Sequence, residues 1–373
     1  MTLLRASPFH ARAADANRDN AWITRNGMTL AARYDDAEDE ALAARLNVAI
    51  ADISWRWRIA CEGASAEAFL SRLMTRDAAG LAPGTSFKAL WLSDAGGVRG
   101  AGLVARFGRE TFQLVATAPD SEWIMSAAAM MGVQMRDVAL ETGGLAVIGP
   151  YANATLKAAE LDAELEPLSF RKLSWRGIDV TVSRWGEHGG VEIWCAPDDG
   201  VLVWDRLMRA GDAFGIVPAG VAAMDILDLE AGVPRPGLDY SPARDAAGGD
   251  PMPSAIGLET LIDDAHKGFN GMKALLAARP ARKLVGLEFD SAESAPFTPV
   301  FRGEKTVGQT FRSVYSPALK RAIALATVDV EASQPGIVLS LTLPATMARP
   351  ELRKVSARVT RLPFLAAPVS IET

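Results

Sequence analysis

Cysteine, histidine and tyrosine are scarce in this chain of 373 residues, which has two, three and four of them. Cys61 and Cys195 stand far apart with no CxxC spacing, which excludes a disulfide framework and a structural zinc site. A reducing cytoplasm is the expected compartment. His10, His188 and His266 show no HExxH or other close-ligand spacing, so no metal is expected. Positive charge is short as well: Lys and Arg number 39 against 45 Asp and Glu, a formal charge of -6. No cationic field exists to hold phosphate backbones, and nucleic acid is not an expected partner. Neither an 18-residue apolar run nor a signal-peptide core within Met1 to His10 is present, so no membrane insertion is expected. Gly-x-Ser-x-Gly is missing, which excludes the usual serine-hydrolase elbow. The glycines of Gly96-Gly97-Val98-Arg99-Gly100-Ala101-Gly102 fit neither phosphate-binding pattern and read as a turn between strands.

What is present is an ordinary folding composition, 49% hydrophobic and 23% charged. At about 150 residues per domain, the length suggests two or three domains. Acidic residues from Asp35 to Glu40, followed by Leu42, Leu46, Ala49 and Ile50, predict a helix over 35–53. Ser65 predicts a helix start ahead of the stripe Ala66, Phe69, Leu70 and Leu73. Alternation predicts strands over 111–116 and 178–184, and apolar spacing predicts helices over 199–213 and 219–231. Asn270 is expected to cap a short helix over 271–278. Beyond it the text is strand-like at 284–289, 306–312, 323–330, 337–343 and 355–362, an all-β domain after the joint Arg279-Pro280-Ala281-Arg282. The expected division is 1–280, an α+β region of two interleaved portions with the inner one over about 50–145, and 281–373.

Several phrases recur in a fixed order: Ser7-Pro8-Phe9-His10, Asp52-Ile53-Ser54, Thr75-Arg76-Asp77, Pro83-Gly84, Gly96-Gly97-Val98, Ile148-Gly149-Pro150, Val182-Ser183-Arg184 and Leu229-Glu230-Ala231-Gly232. Gly308-Gln309, Tyr315-Ser316-Pro317, Ile323-Ala324-Leu325-Ala326 and Leu362-Pro363-Phe364 continue the series. Together they resemble the glycine-cleavage T-protein (aminomethyltransferase) family over nearly the whole chain. That family includes tetrahydrofolate-dependent demethylases and folate-binding relatives that are not transferases. The resemblance implies an α+β folate-binding fold, two α+β portions in a ring with a C-terminal β-barrel around a central channel, and tetrahydrofolate as the one-carbon acceptor.

Carried over residue by residue, the resemblance gives one match and three departures. Glu192, after Ser183-Arg184 and Gly189-Gly190, matches the glutamate that binds the pterin's amino edge, although the turn between carries Trp185, Glu187 and His188. The family's Gly-Gly-Val-Ile-Asp-Asp is here Gly97-Val98-Arg99-Gly100-Ala101 after Gly96, and neither small residue can move a proton. A usual tyrosine becomes Lys88, and a channel arginine becomes Asp228. Lys88 and Asp228 are expected to form an ion pair lining the pocket, the lysine binding an anionic or phenolate group and the aspartate acting as base; a structural salt bridge is the equal alternative. His188 is a second candidate base. Tyr240 joins Glu192 as a cofactor contact, and Trp55, Trp185, Tyr34, Arg99 and His10 are candidate substrate contacts, though tryptophan beside a strand more often packs a core.

The expected function is removal of a one-carbon unit from a small, aromatic substrate by a monomer or homodimer. Two mechanisms compete: tetrahydrofolate takes a methyl group, which the retained Glu192 favours, or a hydroxymethyl group leaves as formaldehyde without cofactor, which the lost carboxylate and arginine favour. A non-catalytic folate-binding protein is the alternative from another class. Against it, Lys267-Gly268-Phe269-Asn270 lacks the cysteine of the Lys-Gly-Cys-Tyr phrase in one such relative.

Overall fold

Val48-Ala49-Ile50-Ala51 is apolar at every position, as befits a strand covered on both faces. In the computed structural model, which describes residues 4–118, 120–162, 164–186, 188–244, 251–343 and 351–368, Val48–Asp52 is such a strand. This corrects the helix expected over 35–53. The helix is Ala37–Leu46, started by the Asp36 carboxylate, which accepts from the Glu38 and Asp39 backbone N–H groups, and it ends at Asn47. β-Branched Val48 and Ile50 then pair antiparallel with Gly143–Ile148 and parallel with Ile216–Ala219. Helical spacing and a fully buried strand look alike over so short a run.

The six-stranded sheet runs in the order Phe170–Trp175, Ile178–Ser183, Val191–Cys195, Gly143–Ile148, Val48–Asp52, Ile216–Ala219. A five-stranded sheet is inserted after Asp52, in the order Ser86–Leu92, Val98–Arg106, Thr111–Ala116, Trp57–Glu62, Gln134–Asp137. Gly96 and Gly97 turn the hairpin between its first two strands, as expected. The helix Ala66–Leu73 buries the four residues of its expected stripe, but Ser65 makes no side-chain capping bond. Met272–Ala277 starts at Gly271, and Asn270 instead donates to the Leu92 carbonyl at 3.0 Å.

From Arg282 a closed barrel forms in the order Arg282–Phe289, Arg321–Asp329, Lys305–Ser316, Pro299–Arg302, Val338–Leu343, Arg353–Thr360. The short strand Pro299–Arg302 was not legible in the sequence. No helix among the described residues is long and apolar enough to cross a membrane.

Two tryptophans stand over glycines on neighbouring strands. Trp91 pairs with Gly100, and Trp194 with Gly144, so each indole lies where a cross-strand side chain would be. A Cβ at Gly100 would lie 2.1 Å from Trp91 Cζ2, and the ring is fully buried. Gly100→Ala is therefore expected to lower stability by about 1–3 kcal/mol through overpacking, measured by urea unfolding. An unchanged midpoint would mean that the indole yields, and the packing argument fails.

Candidate functional site

The helix Val221–Glu230 divides two environments by its periodicity. Val221, Met224, Asp225 and Asp228, spaced i, i+3, i+4 and i+7, line a cavity of about 280 Å³, while Ala223, Ile226, Leu227 and Glu230 are buried. The helix start is fixed by buried Glu40, whose carboxylate accepts from the Gly220 N–H at 2.8 Å and from the Tyr34 and Asp35 N–H groups at 2.6 and 2.8 Å. That clamp sets Tyr34 on the cavity wall. Gly220 is required there, since a Cβ would meet the Ala32 carbonyl at 2.6 Å. The inserted sheet supplies Lys88, Ala101 to Leu103 and Val115 to Thr117, and the end of Val48–Asp52 supplies Asp52, Ile53, Trp55 and Arg56. Leu30, Leu258 and Leu261 complete a wall that is mainly apolar with a few charges.

Asp228 is not the partner of Lys88. Its Oδ1 receives His188 Nε2 at 2.7 Å and its other oxygen receives Arg235, which also donates to Asp225. Arg235 thus restores, from seven residues further on, a cation where the helix has lost one. Burial raises the Asp228 carboxyl, but the Arg235 charge and the His188 hydrogen bond outweigh it and hold the group well below the usual carboxylate range. An acid that gives up its proton so readily makes a weak base, contrary to the expected role. Lys88 lines the same cavity, and His188 lies behind Asp228 with 6% of its surface exposed.

Glu192 is 1% exposed. Its Oε1 accepts from Arg56, and its Oε2 from the indoles of Trp185 and Trp194. Arg56 lies between this carboxylate and the cavity, so Glu192 and Trp185 are not among the wall residues. Tetrahydrofolate fits these residues poorly. The pterin's amino edge needs a carboxylate facing it, and Glu192 is turned to three protein donors; Gly100 and Ala101 offer none.

The other candidates divide. Trp55 and Tyr34 are on the wall. Arg99 is not: its guanidinium makes two 2.9 Å bonds to Asp120, which also accepts from Trp91 Nε1 at 3.0 Å, so its work is to brace the inserted sheet. Tyr240 is buried among Leu90, Leu92, Val98, Ile256 and Phe269, and lines a separate cleft. His10 opens the helix His10–Ala16 and packs against Trp22, ring centroids 4.7 Å apart. Glu187 lies outside the described residues. Asp52, treated in the sequence only as part of a fold phrase, proves to be a wall residue. Its one signal was a carboxylate at the end of an apolar run, just ahead of the Trp55-Arg56-Trp57 segment where the family usually has His-Met-Gly. Among the described residues no three His, Cys, Asp or Glu side chains gather as metal ligands would.

Family models match most of the chain: the GCVT N-terminal domain over residues 12–249 and the glycine cleavage T-protein C-terminal barrel domain over residues 282–365. The aminomethyltransferase of Bacillus subtilis (strain 168) is 31% identical over 91% of this chain and 93% of its own. The trimethylamine-oxide aldolase of Ruegeria pomeroyi is 30% identical over 98% of this chain, but only 47% of that longer protein is matched. The solved aminomethyltransferase T of the glycine cleavage system from Bartonella henselae superposes with a TM-score of 0.86 at 24% identity, covering 99% of this chain and 100% of the other, a likeness of fold.

Arg235→Met leaves Asp225 and Asp228 facing each other without their shared cation. At neutral pH a loss of at least about 2 kcal/mol is expected, toward the low side for buried pairs because both carboxylates line a cavity. The wild-type Asp228 carboxyl is depressed, so its contribution is present above about pH 3.9 and is lost as pH falls through the folded value. The difference between variant and wild type should therefore shrink on acidification, followed by urea melts across pH. A pH-independent difference would argue against the ion-pair account.

Proposed function

The chain belongs to the glycine-cleavage T-protein family, and from that premise we propose that it removes a one-carbon unit from a small, aromatic substrate, releasing a hydroxymethyl group as formaldehyde without folate. The turned-away Glu192 carboxylate carries this reading. Small residues at Gly100 and Ala101, where the family places carboxylates beside the folate nitrogen, support it. The relative named trimethylamine-oxide aldolase bears a lyase name rather than a transferase name, although this chain spans only half of it.

The chemistry needs no carrier. A base takes the proton of the substrate's CH₂–OH group, and the O–H electron pair becomes the second bond of the formaldehyde carbonyl. The bond from that carbon to the rest of the substrate breaks, and its electron pair moves into the substrate. The substrate must hold that pair, as it can by forming a conjugated double bond while a phenolic oxygen leaves from the next carbon. Lys88 on the wall is the cation suited to receive that oxygen. Trp55 and the apolar residues hold the aromatic body, and the cavity keeps it dry and oriented.

A panel of hydroxymethyl and methoxy aromatics, assayed for formaldehyde with and without tetrahydrofolate, tests the reading. Release from hydroxymethyl compounds at a rate indifferent to tetrahydrofolate is expected. Turnover of methoxy compounds that requires tetrahydrofolate would replace the reading with demethylation, and no turnover beside tight ligand binding would make the protein a binding module. Lys88→Gln is expected to lower kcat about 10²-fold, the scale of losing one donor to a developing oxyanion. Equal kcat in the variant would remove the lysine from the mechanism.

A further inference from the structure

Three aspartates face the cavity, and their surroundings differ in kind. Asp225 and Asp228 are tied to Arg235, and Asp225 to Arg25 as well. Asp52 has no ion-pair partner among the described residues. What it has is donors. The Ser54 backbone N–H donates to Asp52 Oδ1 at 2.9 Å, and the Ser7 side chain is near enough to the carboxyl group to favour its ionised form. The Ser7 oxygen already accepts from the Phe9 N–H at 3.2 Å, so its hydroxyl proton is the part of the group that can turn toward Asp52.

Asp52 ends the strand Val48–Asp52 and is held in register opposite Leu145, so the backbone beneath the carboxylate is fixed. From the neighbouring elements, His10 and Tyr34 face it, and the His10 Nδ1 is buried without a partner. Lys88, Arg56, Asp225, Asp228 and Arg235 line the same cavity.

We propose that Asp52 is the catalytic base of this cavity, taking the hydroxyl proton of the substrate, and that Ser7 is the residue that positions it. The proposal rests on the cavity being the place of formaldehyde release. The proton moves from the substrate oxygen to the Asp52 carboxylate, formaldehyde forms, the carbon–carbon bond breaks with its electron pair becoming the new conjugated double bond, and the pair of the adjacent carbon–oxygen bond leaves with the phenolic oxygen. Asp52 returns the proton to water once the products go. The carboxylate thereby occupies the role left vacant at Gly100 and Ala101, from a different sheet.

The environment agrees with that role. Burial pushes the Asp52 carboxyl above the usual range, and the hydrogen bonds from Ser7 and Ser54 and the charge of His10 pull it back only in part. A carboxylate raised toward the working pH is a better proton acceptor than one held down, as Asp228 is.

Asp52→Asn is expected to reduce kcat for formaldehyde release 10²- to 10⁴-fold with little change in KM, and Asp52→Glu to recover part of it. Ser7→Ala removes a bond to the ionised carboxylate, so the acid limb of kcat/KM should move to higher pH while the plateau stays. A purely structural serine would lower the plateau and leave the limb in place. A measurement free of turnover runs beside these: the infrared carboxylic-acid C=O band, followed with pH, should persist in the wild type above the ordinary aspartate range of about 3.9 and be missing in Asp52→Asn. Since the folded carboxyl is raised, wild-type stability falls as pH rises through that window. Asp52→Asn should therefore melt like the wild type in acid and later than it at neutral pH.

Wild-type kcat in Asp52→Asn, an acid limb unmoved by Ser7→Ala, or an infrared band that titrates in the ordinary range would each overturn the proposal. If no compound of the panel reacts, the formaldehyde reading fails and the base assignment with it, whereas wild-type kcat in Asp52→Asn with a reacting compound sinks the base assignment alone. The two failures are thus separable.

Discussion

Glu230 is fully buried, and the arrangement of the barrel on the rest of the chain depends on it. One carboxylate oxygen accepts from Arg45 at 2.8 and 2.9 Å, and the other from the Ser316 hydroxyl at 2.6 Å. Its backbone carbonyl receives Leu365 N–H at 3.0 Å, and Arg45 reaches on to the Ala366 carbonyl at 2.6 Å. Helix, barrel strand and C-terminal segment therefore meet at one anion. Two residues on, a Cβ at Gly232 would touch Leu362 at 2.9 Å, so the tail can cross there only because the position is glycine. An uncompensated buried carboxylate is costly, and these donors must be in place together.

This joint explains which phrases of the sequence carry the resemblance. Leu229-Glu230-Ala231-Gly232, Tyr315-Ser316-Pro317 and Leu362-Pro363-Phe364 are distant in the chain and adjacent in space, each supplying a group that the others need. Gly308 belongs with them, since a Cβ there would meet the Thr327 carbonyl at 2.1 Å and hold two barrel strands apart. The residues answer to geometry rather than to a ligand. The phrases that differ from the family, at Lys88, Gly100, Ala101 and Asp228, lie at or beside the cavity.

Much of the fold was legible because its signals are local. The stripe Ala66, Phe69, Leu70 and Leu73 reports a half-buried helix by spacing alone, and five of the six barrel strands announce themselves by composition between turns. Val48–Asp52 was misread because its burial on both faces is a tertiary fact: nothing within the segment says that strands from residues 143–148 and 216–219 will flank it. The candidate site was less legible for a related reason. Asp228 and Lys88 were paired on charge, yet Arg235, only seven residues from Asp228, wins the contact because the chain turns back after Gly232. Glu192 lies in the strand Val191–Cys195 with Arg56 and two indoles on its oxygens, and nothing at residue 192 itself announces those partners.

The helix Val221–Glu230 shows how such a site can change under a constant fold. Asp225 and Asp228 lie on one stripe and Leu227 and Glu230 on another, about 160° of helix apart. A substitution on the cavity stripe alters charge near the substrate without disturbing the donors around Glu230, provided that a nearby group compensates it. Arg235 does so for two aspartates at once, and it holds the Asp228 carboxyl well below the usual carboxylate range. The carboxylate best suited to accept a proton is then the one that no arginine reaches. Asp52, held by serines and facing an apolar wall, meets that condition, so the same distribution of cations that secures the helix also selects which acid is left for chemistry.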